Sequence, residues 1–140
     1  MKYLKLIIVL PLLMAFQCDE DELHTIENDN LNETGLIGDW EISAETINGI
    51  SDMLPKCCRF LDFYINSNPD DLKGDYKYSD GSGLYDGEFT VDITENQIIF
   101  DNFNNEQVIY SFSIDDSGEN LTFTFTEDDV EVIQYWVKTY

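Results

Sequence analysis

From Gly38 to the C-terminus, apolar and polar residues alternate with a period of two. Alternation of this kind is typical of antiparallel strands that have one face in a core and the other in water. The alternating apolar residues form six clear sets: Trp40-Ile42-Ala44, Leu61-Phe63-Ile65, Phe89-Val91-Ile93, Val108-Tyr110-Phe112-Ile114, Leu121-Phe123-Phe125 and Ile133-Tyr135-Val137. Helical periodicity is not sustained anywhere, so the pattern predicts an all-β domain.

Turn-forming residues such as Asn48-Gly49 and Asp115-Asp116-Ser117-Gly118 separate these segments at short intervals. We expect about eight strands, and they begin near Asp39, Cys58, Gly74, Leu84, Gln97, Glu106, Asn120 and Glu131. Strands joined in sequence can close into a barrel, which removes the exposed edges of an open sheet. The predicted fold class is a small antiparallel up-and-down barrel of eight strands over residues 37–140.

A barrel of this size is either filled by side chains or just wide enough for one small ligand. The large aromatic residues that the alternation turns inward are therefore candidate ligand-binding residues: Phe63, Phe89, Tyr110, Phe112, Phe123 and Tyr135. Plain core packing explains the same residues and is the favoured interpretation.

The first 17 residues have the pattern of a signal peptide. Lys2 and Lys5 supply a positive start, and an apolar run from Leu6 to Phe16 follows. That run is shorter than the ~20 residues that a membrane-spanning helix needs. We therefore expect residues 1–17 to be removed.

Cys18 directly follows the apolar run and resembles the invariant cysteine of the lipobox in bacterial lipoproteins. Ala15 fits the small residue three positions earlier, whereas Gln17 departs from the usual Gly, Ala or Ser. The resemblance implies that Cys18 is the lipid-attachment site and that several acyl chains anchor the protein in a membrane. The alternative is simple signal cleavage that leaves Cys18 unmodified.

Residues 18–36 are predicted to form a flexible acidic tether, because they hold no lysine or arginine and few apolar residues. Their acidic run, Asp19 to Glu22, resembles the export signal of Bacteroidetes lipoproteins, which implies a place on the outer face of the outer membrane. A plain solvated linker explains the same run. An aspartate after the cysteine is also similar to the inner-membrane retention signal of enterobacteria.

The opening of the first strand, Gly38-Asp39-Trp40, resembles the G-x-W signature of lipocalins. The resemblance covers Leu36 to Tyr140 and is strongest to the compact lipocalin-like domains of Bacteroidetes lipoproteins. It implies that Trp40 plugs the closed end of the barrel and that a basic residue of the last strand, here Lys138, packs over it. It also implies a small apolar ligand of the fatty-acid kind.

The formal net charge of −22 excludes nucleic acid as a partner, because so acidic a surface repels phosphates. It also repels anionic head groups, so membrane attachment depends on the anchor at Cys18. No metal site or cofactor is predicted. Carboxylates such as Asp70, Asp71 and Asp75 offer oxygen ligands for calcium, but solvated turns explain them better.

Catalytic chemistry lacks support in the sequence. The only histidine, His24, lies in the tether, so the domain has no imidazole base for a serine or cysteine nucleophile. Cys57 and Cys58 are adjacent, which disfavours an ordinary disulfide, and we expect thiols or a strained vicinal bond rather than a redox site. The predicted function is non-enzymatic binding of a small apolar molecule at the open end of the barrel. The alternative is a filled barrel that serves as a structural or protein-interaction module, and a hydrolase ranks third.

Overall fold

The computed structural model describes residues 30–52, 58–103 and 106–139. A 3-10 helix at Leu31–Thr34 precedes the strands. The strands are β1 (Gly38–Ile47), β2 (Ile50–Asp52), β3 (Phe60–Ile65), β4 (Lys73–Ser79), β5 (Leu84–Asp92), β6 (Gln97–Phe103), β7 (Glu106–Ile114), β8 (Asn120–Glu127) and β9 (Val130–Thr139). Within the described ranges, no helix is long and apolar enough to cross a membrane.

The strands form one closed antiparallel barrel. From β3 to β9 each strand pairs with the next, and β1 pairs with both β3 and β9, which closes the sheet. The short β2 lies outside this cycle and forms a hairpin with the end of β1. The predicted eight-stranded up-and-down barrel is confirmed, and each strand begins within two residues of its expected position. The sequence pattern did not predict β2.

One end of the barrel is closed around Trp40, which is fully buried. Its indole Nε1 donates a hydrogen bond of 2.8 Å to the carbonyl oxygen of Leu36. The ammonium of Lys138 lies 5.1 Å from the centre of the Trp40 ring, as the lipocalin resemblance implied. Gly38 permits this arrangement, because it adopts a φ of +130° and a Cβ there would lie 2.8 Å from Cε of Lys138.

The segment before β1 belongs to the domain, so the expectation of a flexible tether as far as residue 36 is wrong. Leu31 and Leu36 are both 0% exposed and pack in the core at the closed end. The Leu31 N–H donates a 3.1 Å hydrogen bond to the carbonyl of Asp71 in the β3–β4 connection. These two leucines hold the segment against the barrel, because each buries its apolar side chain in the core. Residues 18–29 lie outside the described ranges.

Aromatic side chains fill the middle of the barrel. Five of them are at most 3% exposed: Phe63, Tyr76, Phe89, Phe100 and Phe123. Phe63 meets Phe89 edge-on with ring centres 4.8 Å apart, and Phe100 contacts Phe63, Tyr76 and Phe123 at 5.0 to 6.2 Å. These rings leave little interior volume at this level, as the core-packing interpretation anticipated.

Two strands turn a different face inward from the one the alternation indicated. On β9 the buried residues are Val132 and Trp136, whereas Tyr135 is 38% exposed on the outer surface. Apolar residues occupy both faces of β9, so its period-two pattern fits either orientation. On β1 an extra residue at Ser43 shifts the register against β9, which places Ala44 opposite Tyr135 and turns Glu45 inward.

Replacing Leu31 tests whether the segment before β1 is part of the folded unit. We expect Leu31→Ala to lower the free energy of unfolding by about 2–5 kcal/mol, because it removes a fully buried side chain and leaves a cavity. Leu84→Ala is the matched control: Leu84 is 70% exposed, and its loss should cost no more than about 0.5 kcal/mol. Urea unfolding measures both. Equal stability of Leu31→Ala and the wild type would contradict the placement of this segment.

Candidate functional site

A cup opens at the end of the barrel opposite Trp40 and has a volume of about 630 Å³. Its apolar wall includes Val108, Tyr110, Phe125 and Val132, from β7, β8 and β9. Side chains from these neighbouring strands converge because alternate residues of each strand point into the barrel. The volume lies within the range of small-molecule sites in proteins.

The polar wall of the cup is built around Glu45, the one buried charged residue among those described, at 7% exposure. It points inward only because of the bulge at Ser43, which reverses the side-chain alternation of β1. Gln134 lies directly opposite on β9, and its Nε2 donates a 2.7 Å hydrogen bond to Oε2 of Glu45. The closure of the barrel therefore brings together two residues 89 positions apart.

Arg59, immediately before β3, neutralises Glu45. Its Nη1 donates to Oε2 of Glu45 at 3.1 Å, and its side chain remains 31% exposed in the cup. The carbonyl of Arg59 accepts a 3.2 Å hydrogen bond from the N–H of Ile42 on β1, which fixes the backbone beneath the guanidinium. A carboxylate this buried requires such a partner, since an unpaired charge in the barrel is costly.

Two aromatic rings form one face of the cup. Tyr110 and Phe125 stack with ring centres 4.0 Å apart and planes 13° apart. Burial, together with the negative charges of Glu127 and Glu45, raises the pKa of Tyr110 to about 12. Tyr110 is therefore a neutral phenol at physiological pH, and the stacked pair is an uncharged surface.

The floor of the cup is nearly closed. A cavity of about 40 Å³ lies between Phe100, Phe123 and Trp136, and it shares Tyr78, Tyr110 and Gln134 with the cup above. It has room for one water molecule. The buried Nε1–H of Trp136 has no acceptor among the described residues. A ligand in the cup thus reaches only the upper part of the barrel.

The structure separates the six candidate ligand-binding residues. Tyr110 lines the cup. Phe63, Phe89 and Phe123 are buried in the aromatic core, and of these only Phe123 borders the small cavity at the floor. Phe112 lies near the closed end, beside Thr34 and Ile114, and Tyr135 lies on the outer surface. Tyr135 therefore does not face the interior, because β9 turns its other face inward.

Cys18, His24 and Cys57, which the sequence singled out, lie outside the described ranges. Cys58 is exposed and does not line the cup. The Asp115 carboxylate accepts hydrogen bonds from Ser117, Glu119 and Asn120 in the β7–β8 turn, which lowers its pKa to about 2. It therefore acts as a turn cap. No cluster of three potential metal ligands occurs in the described part of the chain.

The sequence did not point to the three residues that form the polar wall, Glu45, Arg59 and Gln134. Glu45 stood at an outward position of the β1 alternation, and Gln134 at a polar position of β9 whose face was reversed. Of the three, only Arg59 has a feature in the sequence that could have marked it as a candidate: it is the only arginine in the chain and directly precedes a strand.

No protein-family model matches this chain, and no curated protein matches it. Among solved structures, it is similar to a redesigned β-barrel, with 18% identity, a TM-score of 0.49, and 79% of this chain and 97% of that chain covered. A variant of the fluorescent protein UnaG has 11% identity and a TM-score of 0.47, with 76% and 97% covered. A lipocalin-like protein from Bacteroides uniformis has 14% identity and a TM-score of 0.45, with 75% and 99% covered. These values carry no information about a ligand.

Alkaline pH tests the buried position of Tyr110. Between pH ~10, where an unfolded tyrosine ionises, and about 12, only the unfolded chain loses this proton. The free energy of unfolding should therefore fall as the pH rises through this window, and Tyr110 should have no such effect below it. We expect Tyr110→Phe to make the decline shallower in urea unfolding at a series of pH values. Tyr135→Phe is the matched control from the outer surface; an unchanged slope in Tyr110→Phe would contradict the assignment.

Proposed function

We propose that this chain is a lipid-anchored protein of the cell envelope whose barrel binds a small apolar molecule in the open cup. The observation that carries the proposal is the cup itself, a concave site of about 630 Å³ at the open end of a closed barrel. Small-molecule sites combine apolar walls with polar groups that fix the orientation of the ligand, and in this cup half of the lining residues are polar or charged.

The closed floor limits the size of the ligand. Phe100, Phe123 and Trp136 fill the barrel beneath the cup and are at most 3% exposed. A long acyl chain that threads to the Trp40 end would have to displace them from a close-packed core. We therefore expect a compact ligand that lies among Val108, Tyr110, Phe125 and Val132 rather than an extended fatty acid.

The anchor is proposed from the pattern around Cys18. The described chain starts with residue 30 and enters the domain at the closed end through Leu31 and Leu36. A lipid at Cys18 would thus be joined to the end opposite the cup. In this arrangement the anchor leaves the mouth of the cup accessible. The proposed location is the outer membrane, and the acidic run after Cys18 favours its cell-surface side.

Binding without catalysis is the proposed activity. The described residues include no histidine, and the one buried carboxylate, Glu45, is already engaged by Arg59 and Gln134. These are features of a site that holds its ligand rather than one that activates a nucleophile.

Narrowing the cup tests the proposed site. We expect the intact purified protein to bind the neutral fluorescent probe N-phenylnaphthylamine, and Val108→Phe to weaken binding by about tenfold, since the larger ring occupies the cup. Val137→Phe makes the same change on the outer face of β9, where the residue is 39% exposed, and should bind as the wild type does. Native mass spectrometry before and after denaturing extraction would identify a co-purified ligand. Absence of both probe binding and a co-purified mass would refute the binding function.

A protein-interaction module is the second candidate, and exposed apolar side chains at the mouth favour it. Ile50, on the β1–β2 hairpin, and Leu84, the first residue of β5, are 74% and 70% exposed at the open end, and Ile109 of β7 is 52% exposed. Exposed apolar residues are a feature of surfaces that contact another protein. This candidate gains support if the cup binds no probe and the protein carries no co-purified ligand.

The lipid anchor has its own test in cells of a lipoprotein-producing bacterium. We expect the wild type to incorporate labelled palmitate and to fractionate with membranes, and Cys18→Ser to lose both properties, because the sulfur is the proposed acylation site. Cys58→Ser is the matched control and should behave as the wild type does. Labelling of Cys18→Ser to the wild-type level would contradict the assignment.

A further inference from the structure

Negative charge predominates in the cup. Glu45, Glu106 and Glu127 line it, and Arg59 is the one cationic side chain among its lining residues in the described ranges. Arg59 is paired with Glu45, so two further carboxylates remain near the mouth. The net charge of the whole chain, −22, adds to the same potential. An anionic ligand is therefore repelled both on approach and at the site.

The buried carboxylate also keeps one oxygen available. Arg59 and Gln134 both donate to Oε2 of Glu45, and Oε1 receives no hydrogen bond from the described residues. The amide of Gln134 donates through Nε2, which leaves its own oxygen as an acceptor in the cup. The polar wall thus offers acceptors to a ligand that carries N–H donors.

The aromatic face suits the same kind of ligand. Stacked rings such as Tyr110 and Phe125 bind apolar bodies, and aromatic faces attract cations. Glu127 and Glu45 both raise the pKa of Tyr110, so their negative potential acts on this face of the cup. Apolar contact and attraction for positive charge therefore coincide.

We infer that the cup selects a small amine with an apolar or aromatic body and a single positive charge. Glu106 and Glu127, the carboxylates of the cup without an ion pair among the described residues, attract the ammonium group, and Oε1 of Glu45 accepts a hydrogen bond from it. The body lies along Tyr110 and Phe125. This inference rests on the proposed function and specifies its ligand class: a cation in place of the fatty-acid type of ligand that the sequence resemblance implied.

Three probes that share one apolar body and differ in head-group charge test the inference: naphthylmethylamine, naphthylmethanol and naphthylacetate. Isothermal titration calorimetry with the intact purified protein measures each dissociation constant at low and at high salt. We expect the amine to bind most tightly, the alcohol less tightly and the carboxylate least, with roughly tenfold between the amine and the carboxylate. High salt should narrow the difference, since screening weakens the charge interactions.

Matched variants locate the charge preference. Glu127→Gln should weaken amine binding by about threefold and leave alcohol binding unchanged, because it removes one carboxylate at an exposed position of the cup. Glu45→Gln should also weaken amine binding. Glu88→Gln makes the same charge change on the outer face of β5 and should leave all three constants unchanged.

The outcomes separate this inference from the proposed function. Equal or tighter binding of the carboxylate would overturn the amine preference and leave the binding function intact. If Glu88→Gln and Glu127→Gln weakened amine binding equally, the amine preference would also be overturned. The weaker binding would then result from the smaller net negative charge of the protein and not from a carboxylate in the cup. Failure of all three probes to bind would refute both the binding function and its ligand class.

Discussion

Pairing between the first and last barrel strands closes the sheet, and both ends of the molecule are built along that seam. The ladder runs from Asp39 opposite Thr139 to Ile47 opposite Val132. At the closed end it brings Lys138 over Trp40, and at the open end it brings Gln134 to Glu45. Without this closure β1 and β9 would be exposed edges, and neither the plug nor the polar wall of the cup would exist.

The extra residue at Ser43 decides what the cup contains. A regular β1 would turn Ala44 inward and Glu45 to solvent, whereas the bulge reverses these positions at the mouth while Trp40 and Ile42 stay in the core. A single inserted residue thus gives one strand an apolar face at the closed end and a carboxylate at the open end. Arg59 and Gln134 then stabilise the charge that the bulge has buried.

The aromatic core and a bound ligand would have to share the interior volume of the barrel. The rings of Phe63, Phe89, Phe100 and Phe123 hold the lower barrel together, and the space they fill is closed to a ligand. The lower barrel is therefore a filled core, as the core-packing interpretation predicted, and an open cup remains above it. What remains for recognition is a shallow cup lined by three glutamates and one arginine, so the charge of a ligand influences its binding there.

The sequence by itself determined the eight strands of the barrel, their positions and the closed end, because alternation, turn residues and the G-x-W pattern are local signals. It also placed Tyr110 inside. Only the tertiary structure decided that β9 turns Trp136 rather than Tyr135 inward, that Glu45 enters the cup, and that Leu31 belongs to the core. These outcomes depend on strand register, on partners far apart in the sequence, such as Glu45 and Gln134 at 89 positions, and on the space left by other side chains. A period-two pattern carries none of that information, since a shift of one residue leaves the pattern unchanged and exchanges the inner face for the outer one.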